Sequence, residues 1–114
     1  MDGRLRRRQD FQAVLRAGRR YANRLVALYV LPRGEGRSRL GVTTGRRLGN
    51  AVVRNRVRRR LRELCRHHEL TPGLDAVLVG RSEAVGADFG CLAGAVREVL
   101  CEAGLVSRGE GVRS

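Results

Sequence analysis

The sequence holds no lysine and no tryptophan, and Phe11, Tyr21, Tyr29 and Phe89 are its only aromatic residues. No window approaches 18 apolar residues, which excludes a membrane-spanning helix. Arg4, Arg6, Arg7 and Arg8 open the chain, but Gln9, Asp10, Gln12 and Arg16 follow them. No apolar core of a signal peptide is present, so a cytoplasmic location is expected. The cysteines are three, an odd number without CxxC spacing: Cys65, Cys91 and Cys101. They are expected to be buried free thiols in a reducing compartment. Cys65 lies near His67 and His68, yet adjacent histidines diverge on a helix and no second cysteine pair completes a zinc site. No metal site on the protein is expected. The two histidines also lack a nucleophile or carboxylate at a suggestive spacing, so no catalytic set is assigned.

Arginine supplies all 24 basic residues against 11 acids, a net charge of +13 on 114 residues. Such a balance disfavours a neutral metabolic enzyme and points to a polyanionic partner. The charge is also segregated. Residues 1 to 66 carry 20 arginines against Asp2, Asp10, Glu35 and Glu63, a net of +16. Residues 67 to 114 carry four arginines against seven acids, a net of −3. A solubility device would spread its charge, whereas this division implies a binding face in 1–66 and a plain scaffold in about 74–104. The choice of arginine over lysine suits bidentate phosphate contacts, although codon bias in a GC-rich genome explains it more simply. Length and composition fit one small domain spanning 1–114.

The periodicity predicts α–β–β–α–β–α, with an extra short strand near residues 20–23. Phe11, Val14 and Leu15 mark a helix over 8–17, stopped by Gly18. Residues 20–31 read as extended, with Val26, Leu28 and Val30 on the expected core face and Leu25, Ala27, Tyr29 and Leu31 on the other. A strand over 39–45 turns Gly41, Thr43 and Gly45 to one face, a small-residue surface that a partner could approach. The strand over 74–81 is nearly continuous apolar, hence central and a candidate for parallel pairing. A closing helix over 88–103 has Phe89, Leu92, Val96, Val99, Leu100 and Ala103 as its apolar stripe. Residues 105–114 are expected to form a frayed tail.

The helix over 51–68 is the most informative segment. Val53, Val57, Leu61, Leu64 and Cys65 form an apolar stripe, and Asn50 is placed to cap it. The remaining circumference carries Arg54, Arg56, Arg58, Arg59, Arg60, Arg62 and Arg66, with Glu63 as the only nearby acid. Like charges at i, i+4 destabilise a helix, and an ordinary solvated face would mix signs. A phosphate-binding face is the better reading. Its neighbours read as strands and not as a second helix, which argues for RNA over a major-groove helix-turn-helix. Phe11 and Tyr29 could flank a groove for unpaired bases, or could both belong to the core.

The run Arg46-Arg47-Leu48-Gly49-Asn50-Ala51-Val52-Val53-Arg54-Asn55-Arg56-Val57-Arg58-Arg59-Arg60-Leu61-Arg62-Glu63 resembles the signature of the protein subunit of bacterial ribonuclease P. The resemblance extends through Arg4-Leu5, Asp10-Phe11, Ala22-Asn23-Arg24, Leu28-Tyr29, Asp75 and Arg81, covering roughly residues 4 to 103. It implies an α/β (α+β) two-layer sandwich of order αβββαβα, with a left-handed βαβ crossover around the basic helix. It implies a 1:1 complex of one protein with a large catalytic RNA that removes the 5′ leader of precursor tRNA, with Mg²⁺ held mainly by the RNA. Arg46, Arg47, Asn50, Arg54, Asn55, Arg56, Arg58, Arg59 and Arg62 are then expected to face the catalytic RNA. Phe11, Leu15, Tyr29 and Thr43 are expected to line a cleft for the single-stranded leader. Leu15 stands where many members carry a second aromatic, and Thr44 replaces a usual aliphatic. The alternatives are a ribosomal or assembly protein with purely structural RNA binding, and a protein-only nuclease, for which the acids are missing.

Overall fold

The computed structural model describes residues 4–106. Helix α1 (Arg8–Ala17) leads into strands β1 (Arg19–Ala22), β2 (Val26–Pro32) and β3 (Arg39–Thr44). Helix α2 (Ala51–Cys65) connects β3 to β4 (Leu74–Gly80), and α3 (Phe89–Glu102) closes the chain. Single 3₁₀ turns at Arg46–Leu48 and Ser82–Ala84 precede α2 and α3. The order is the αβββαβα that the resemblance implies.

The four strands form one mixed sheet in the order β1-β2-β4-β3. β1 and β2 are antiparallel, as are β2 and β4, while β3 runs parallel to β4 with Val42 opposite Leu78. β4 is therefore central, as its unbroken apolar run requires: its side chains are covered on both faces. The α2 connection supplies the crossover that a parallel pair demands.

One face of the sheet carries most of the core. Val26, Leu28 and Val30 of β2, Leu40 and Val42 of β3, and Ala76 and Leu78 of β4 pack against Val57, Leu61 and Leu64 of α2 and Leu92, Val96, Val99 and Leu100 of α3. Gly80 permits the close approach of α2, since a Cβ there would lie 2.9 Å from Val57 and 3.2 Å from Leu61. The opposite face is not open, as the β2 alternation alone suggests. There α1 sets Val14 against Leu5 and Val77, with Phe11, Tyr29, Leu31 and Val79 around them. The α2/α3 layer and the sheet make the sandwich, and α1 covers part of its far side.

Asn23 ties the β1–β2 turn to α3. Its Oδ1 accepts from the amides of Leu25 and Val26, each at 3.0 Å, and its Nδ2 donates to Ala95 O at 3.0 Å and Glu98 Oε1 at 2.8 Å. Asp88 caps α3 by accepting from the Cys91 amide at 2.8 Å. This bond, more than any other contact, draws the Asp88 carboxyl below its usual range.

Three expectations change. Phe89 is 46% exposed, because it is the first residue of α3 and falls outside the stripe that meets the sheet. Cys91, the third residue of α3, also falls outside that stripe and is exposed, and Cys101 is half-buried. Only Cys65 is a buried thiol, and burial pushes it up to about 12. Leu105 and Val106 are not frayed: both are buried in the main core after Gly104 turns the chain at φ +78°. The rest of the expected tail lies outside the described residues. Among those residues no helix is long and apolar enough to cross a membrane.

Candidate nucleic-acid interface

The site is built where α1, β3 and α2 meet. β3 is an edge strand, and among the described residues its outer side is bridged by Arg4, parallel to Leu40. On the α1 face, Gly41 is the seat of an aromatic ring: a Cβ there would lie 2.4 Å from the Phe11 Cζ. The small-residue face of β3 is thus filled at Gly41 by the chain's own Phe11 and not by a partner. The ring is wedged against the strand with one side toward solvent.

Past β3, the turn Arg46–Leu48 buries Leu48 and leaves Arg46 and Arg47 exposed. Gly49 holds φ +145°, which a side chain would strain. Asn50 then caps α2, its Oδ1 accepting from the Val53 amide at 3.1 Å. Arg54 Nη1 donates to Gly49 O at 2.9 Å. Asn50 and Arg54 therefore start the helix, and their polar atoms are partly committed to that task.

One turn further, Asn55, Arg58, Arg59 and Arg62 share a side of α2 that flanks the buried stripe toward β3. With Phe11, Val42, Thr43 and Val52 they line a recess of about 670 Å³. Asn55 Oδ1 accepts from Arg58. Arg59, Arg62 and Phe11 also border a larger recess of about 1330 Å³ that continues along the β3 edge past Arg4, Arg37 and Ser38 to Thr71. Two acids reach it, Glu63 and Glu69. Glu63 is already engaged, at 2.8 Å to Arg66 and 3.3 Å to His67.

The electrostatics here are unbalanced. Burial first, and then the charges of Arg4 and Arg58, lower the Arg62 pKa. Guanidinium groups are thus crowded together in a partly desolvated groove. Arg46, Arg47, Arg56, Arg59 and Arg62 form no ion pair with any described residue. Such a groove stabilises a row of anionic oxygens, and the ring of Phe11 beside it offers a stacking face.

The two sets of residues read from the sequence are therefore regrouped. Asn55, Arg58, Arg59 and Arg62 come together with Phe11 and Thr43 in one recess. Arg46, Arg47 and Arg56 stand exposed outside it. Leu15 and Tyr29 line neither recess. Leu15 is 38% exposed on α1, while Tyr29 packs beside the small core under α1 and its hydroxyl accepts from Arg20 Nε at 3.1 Å. Sequence reasoning missed Val52, 75% exposed at the mouth of the recess. Its signal in the sequence was an apolar residue off the apolar stripe, on the arginine-bearing circumference of the helix. Arg4 was also missed, since only the fold brings the chain start beside Arg62.

The sequence profile of the Ribonuclease P family matches residues 2–104. The chain belongs to the ribonuclease P protein family. It is 41% identical over 106 residues to the ribonuclease P protein component of Gluconacetobacter diazotrophicus, covering 90% of this chain and 91% of that one. Its fold superimposes on the RNase P protein of Thermotoga maritima with a TM-score of 0.78 at 27% identity, covering 89% and 97% of the two chains. A mutant RNase P protein of Staphylococcus aureus aligns with a TM-score of 0.81 at 28% identity, covering 90% and 89%.

Proposed function

We propose that this ribonuclease P protein binds a catalytic RNA and the single-stranded 5′ leader of precursor tRNA, and that the RNA carries out the hydrolysis. One observation carries the reading: Arg58, Arg59 and Arg62 crowd into a groove with Phe11 and without a committed counter-charge. Stacked base and phosphate alternate along a single strand, and this groove sets one ring, Phe11, beside the guanidinium groups of Arg58, Arg59 and Arg62. Arg46, Arg47 and Arg56 extend the positive surface outward, toward the larger RNA. The physical contribution of the protein is to screen phosphate repulsion between two RNAs and to hold the leader near the cleavage point.

Among the described residues no three His, Cys, Asp or Glu side chains gather as a metal site. The side chains of this groove do not fit a Mg²⁺ ion, and the divalent ions of the reading are assigned to the RNA. No step in the protein's own action passes through them. The complex is taken as one protein with one RNA.

The test is cleavage of precursor tRNA at low Mg²⁺ by the purified chain mixed with a ribonuclease P RNA transcript. Cleavage by the mixture and not by the protein alone supports the reading. Cleavage without RNA would make it a nuclease in its own right. RNA binding without any gain in cleavage would reduce it to a structural RNA-binding protein.

A further inference from the structure

The ion pairs divide the arginines into two kinds. Arg24 is paired with Glu83 at 3.0 Å, and Arg33 and Arg39 with Asp75 at 3.0 and 2.7 Å. Arg60 and Arg81 donate to backbone carbonyls. A second unneutralised group stands away from the α2 groove, at the end of α1 and the start of β1: Arg16, Arg19 and Arg20, all exposed. None of the three forms an ion pair with a described residue.

Their environment is unusual. The Arg19 guanidinium lies 5.6 Å from the Tyr21 ring centroid, and that of Arg20 lies 6.0 Å from the Tyr29 centroid. Rings and not carboxylates orient both groups. An aromatic face attracts the cation without consuming its N–H donors or cancelling its charge. Arg20 spends only Nε, on the Tyr29 hydroxyl. Consecutive strand residues point to opposite faces, so Arg19 and Arg20 straddle β1. Among the described residues that strand pairs with β2 alone, which leaves its other edge open. Three interstrand steps, about 14 Å, separate it from β3 and the groove.

We propose that the open edge of β1 is a second RNA contact, in which Arg16, Arg19 and Arg20 grip backbone phosphates at a site separate from the α2 groove. The ligand chemistry is a phosphodiester chain, contributed by the catalytic RNA or by the body of precursor tRNA. The proposal rests on the RNA-binding reading above. Arginine at an open strand edge can also serve only to block edge-to-edge association, and the experiment separates the two roles.

The test measures the affinity of the full chain for a ribonuclease P RNA transcript across a salt series. A second arm measures precursor tRNA binding to the preformed complex. Arg19→Gln with Arg20→Gln should weaken one of these about tenfold and lower its log–log salt slope by about 2, as expected for two lost phosphate contacts. The affected arm names the source. Arg16→Gln with Arg19→Gln, which leaves Arg20 on Tyr29, should have a similar effect if folding of the first variant suffers. Unchanged slopes in both arms would overturn the proposal, as would self-association of the variants by sedimentation with RNA affinity intact. Arg59→Gln with Arg62→Gln in the groove is the control. If the control loses affinity and the β1 variants do not, this contact fails while the main reading stands. If the native chain binds neither RNA, the main reading itself fails.

Discussion

Two arginine clusters border β3, and they differ in whether carboxylates pair with them. On the α1 face, Asp75 accepts from Arg33 Nε at 3.0 Å and from Arg39 Nε and Nη2 at 3.0 and 2.7 Å, and Arg39 also lies 3.6 Å from Asp10. The cluster joins β3, β4, α1 and the loop after β2. At the outer edge, Arg4 and Arg58 lie close enough to Arg62 to lower its pKa, and neither Arg58 nor Arg62 forms an ion pair with a described residue. The first cluster is satisfied and holds the fold. The second repels itself, and an anion would relieve it. The high charge of residues 1–66 therefore does two jobs, and the partner of each guanidinium tells which.

The largest effect is expected from removing the carboxylate. Asp75→Asn leaves Arg33 and Arg39 without their counter-charge at a position only 7% exposed. Breaking hydrogen bonds to a buried charge costs about 3 kcal/mol here, roughly 10 °C in Tm for a domain of this size. The salt slope of RNA binding should not move. A large change in slope with unchanged Tm would reverse the assignment of the two clusters. The same residue governs acid stability. Burial alone would raise its pKa, but the Arg39 hydrogen bonds and the charges of Arg39 and Arg33 outweigh that and lower it. Its contribution is therefore present above the ordinary carboxylate value of 3.8 and is lost as pH falls through the lower folded value. Melting curves from neutral pH to pH 2 should show that share of the acid loss in the native chain and not in Asp75→Asn.

The edge cluster should respond in the opposite sense. Arg59→Gln with Arg62→Gln should lower RNA affinity about tenfold or more at moderate salt and reduce the salt slope by about 2. Stability should hold or rise slightly, because like charges are removed from a groove where neither arginine is ion-paired with a described residue. Calorimetric melting beside filter binding reads both. A drop in Tm with unaltered affinity would place these arginines with the structural set.

Much of this fold was legible because its segments follow single periodicities. The bounds of α1 match its 3.6-residue pattern and Gly18 stop, and the apolar run of β4 announced a central strand. The seven-arginine helix announced its partner. What was hidden depends on contacts between distant segments. The alternation in β2 favours the aliphatic face as core, and nothing local says that α1 folds back over the other. Gly41 reads as an opening, and only the tertiary fold fills it with Phe11. Phe89 reads as core by spacing, but a helix's first turn overhangs the sheet it packs on. Arg33 and Arg39 count toward the basic charge of residues 1–66, and only the fold brings Asp75, 36 positions beyond Arg39, to neutralise them. That Tyr29 lines neither recess was equally invisible, since it shares the basic zone with Phe11 and packs on the same small core.

Gly41, against which Phe11 packs, gives a finer test. An alanine Cβ would fall 2.4 Å from the Phe11 ring, so Gly41→Ala must displace the ring or the helix that carries it. Overpacking of this kind costs about 1–3 kcal/mol. Displacement of the ring should also reduce binding of precursor tRNA more than of mature tRNA, as Phe11→Ala should. Equal losses for both substrates would remove the ring from leader recognition and leave it as a packing element.

The smallest expected effect concerns Leu15, one turn along α1 from Phe11 and 38% exposed. Its aliphatic side chain offers no stacking face, and the position lines neither recess. Leu15→Phe would place a second ring on the solvent side of α1 without overfilling the core, because the site is open. A base–aromatic stack is worth about 1–3 kcal/mol when fully formed. At a position outside the recess only part of that is available, so precursor tRNA affinity should rise about two- to fivefold, with mature tRNA unchanged. An increase would show that the leader continues over α1 beyond Phe11, toward the side where Arg20 and Tyr29 lie. No change would confine the strand to the β3 edge, between Phe11 and the arginines of α2, and would make the open side of α1 an ordinary solvated surface.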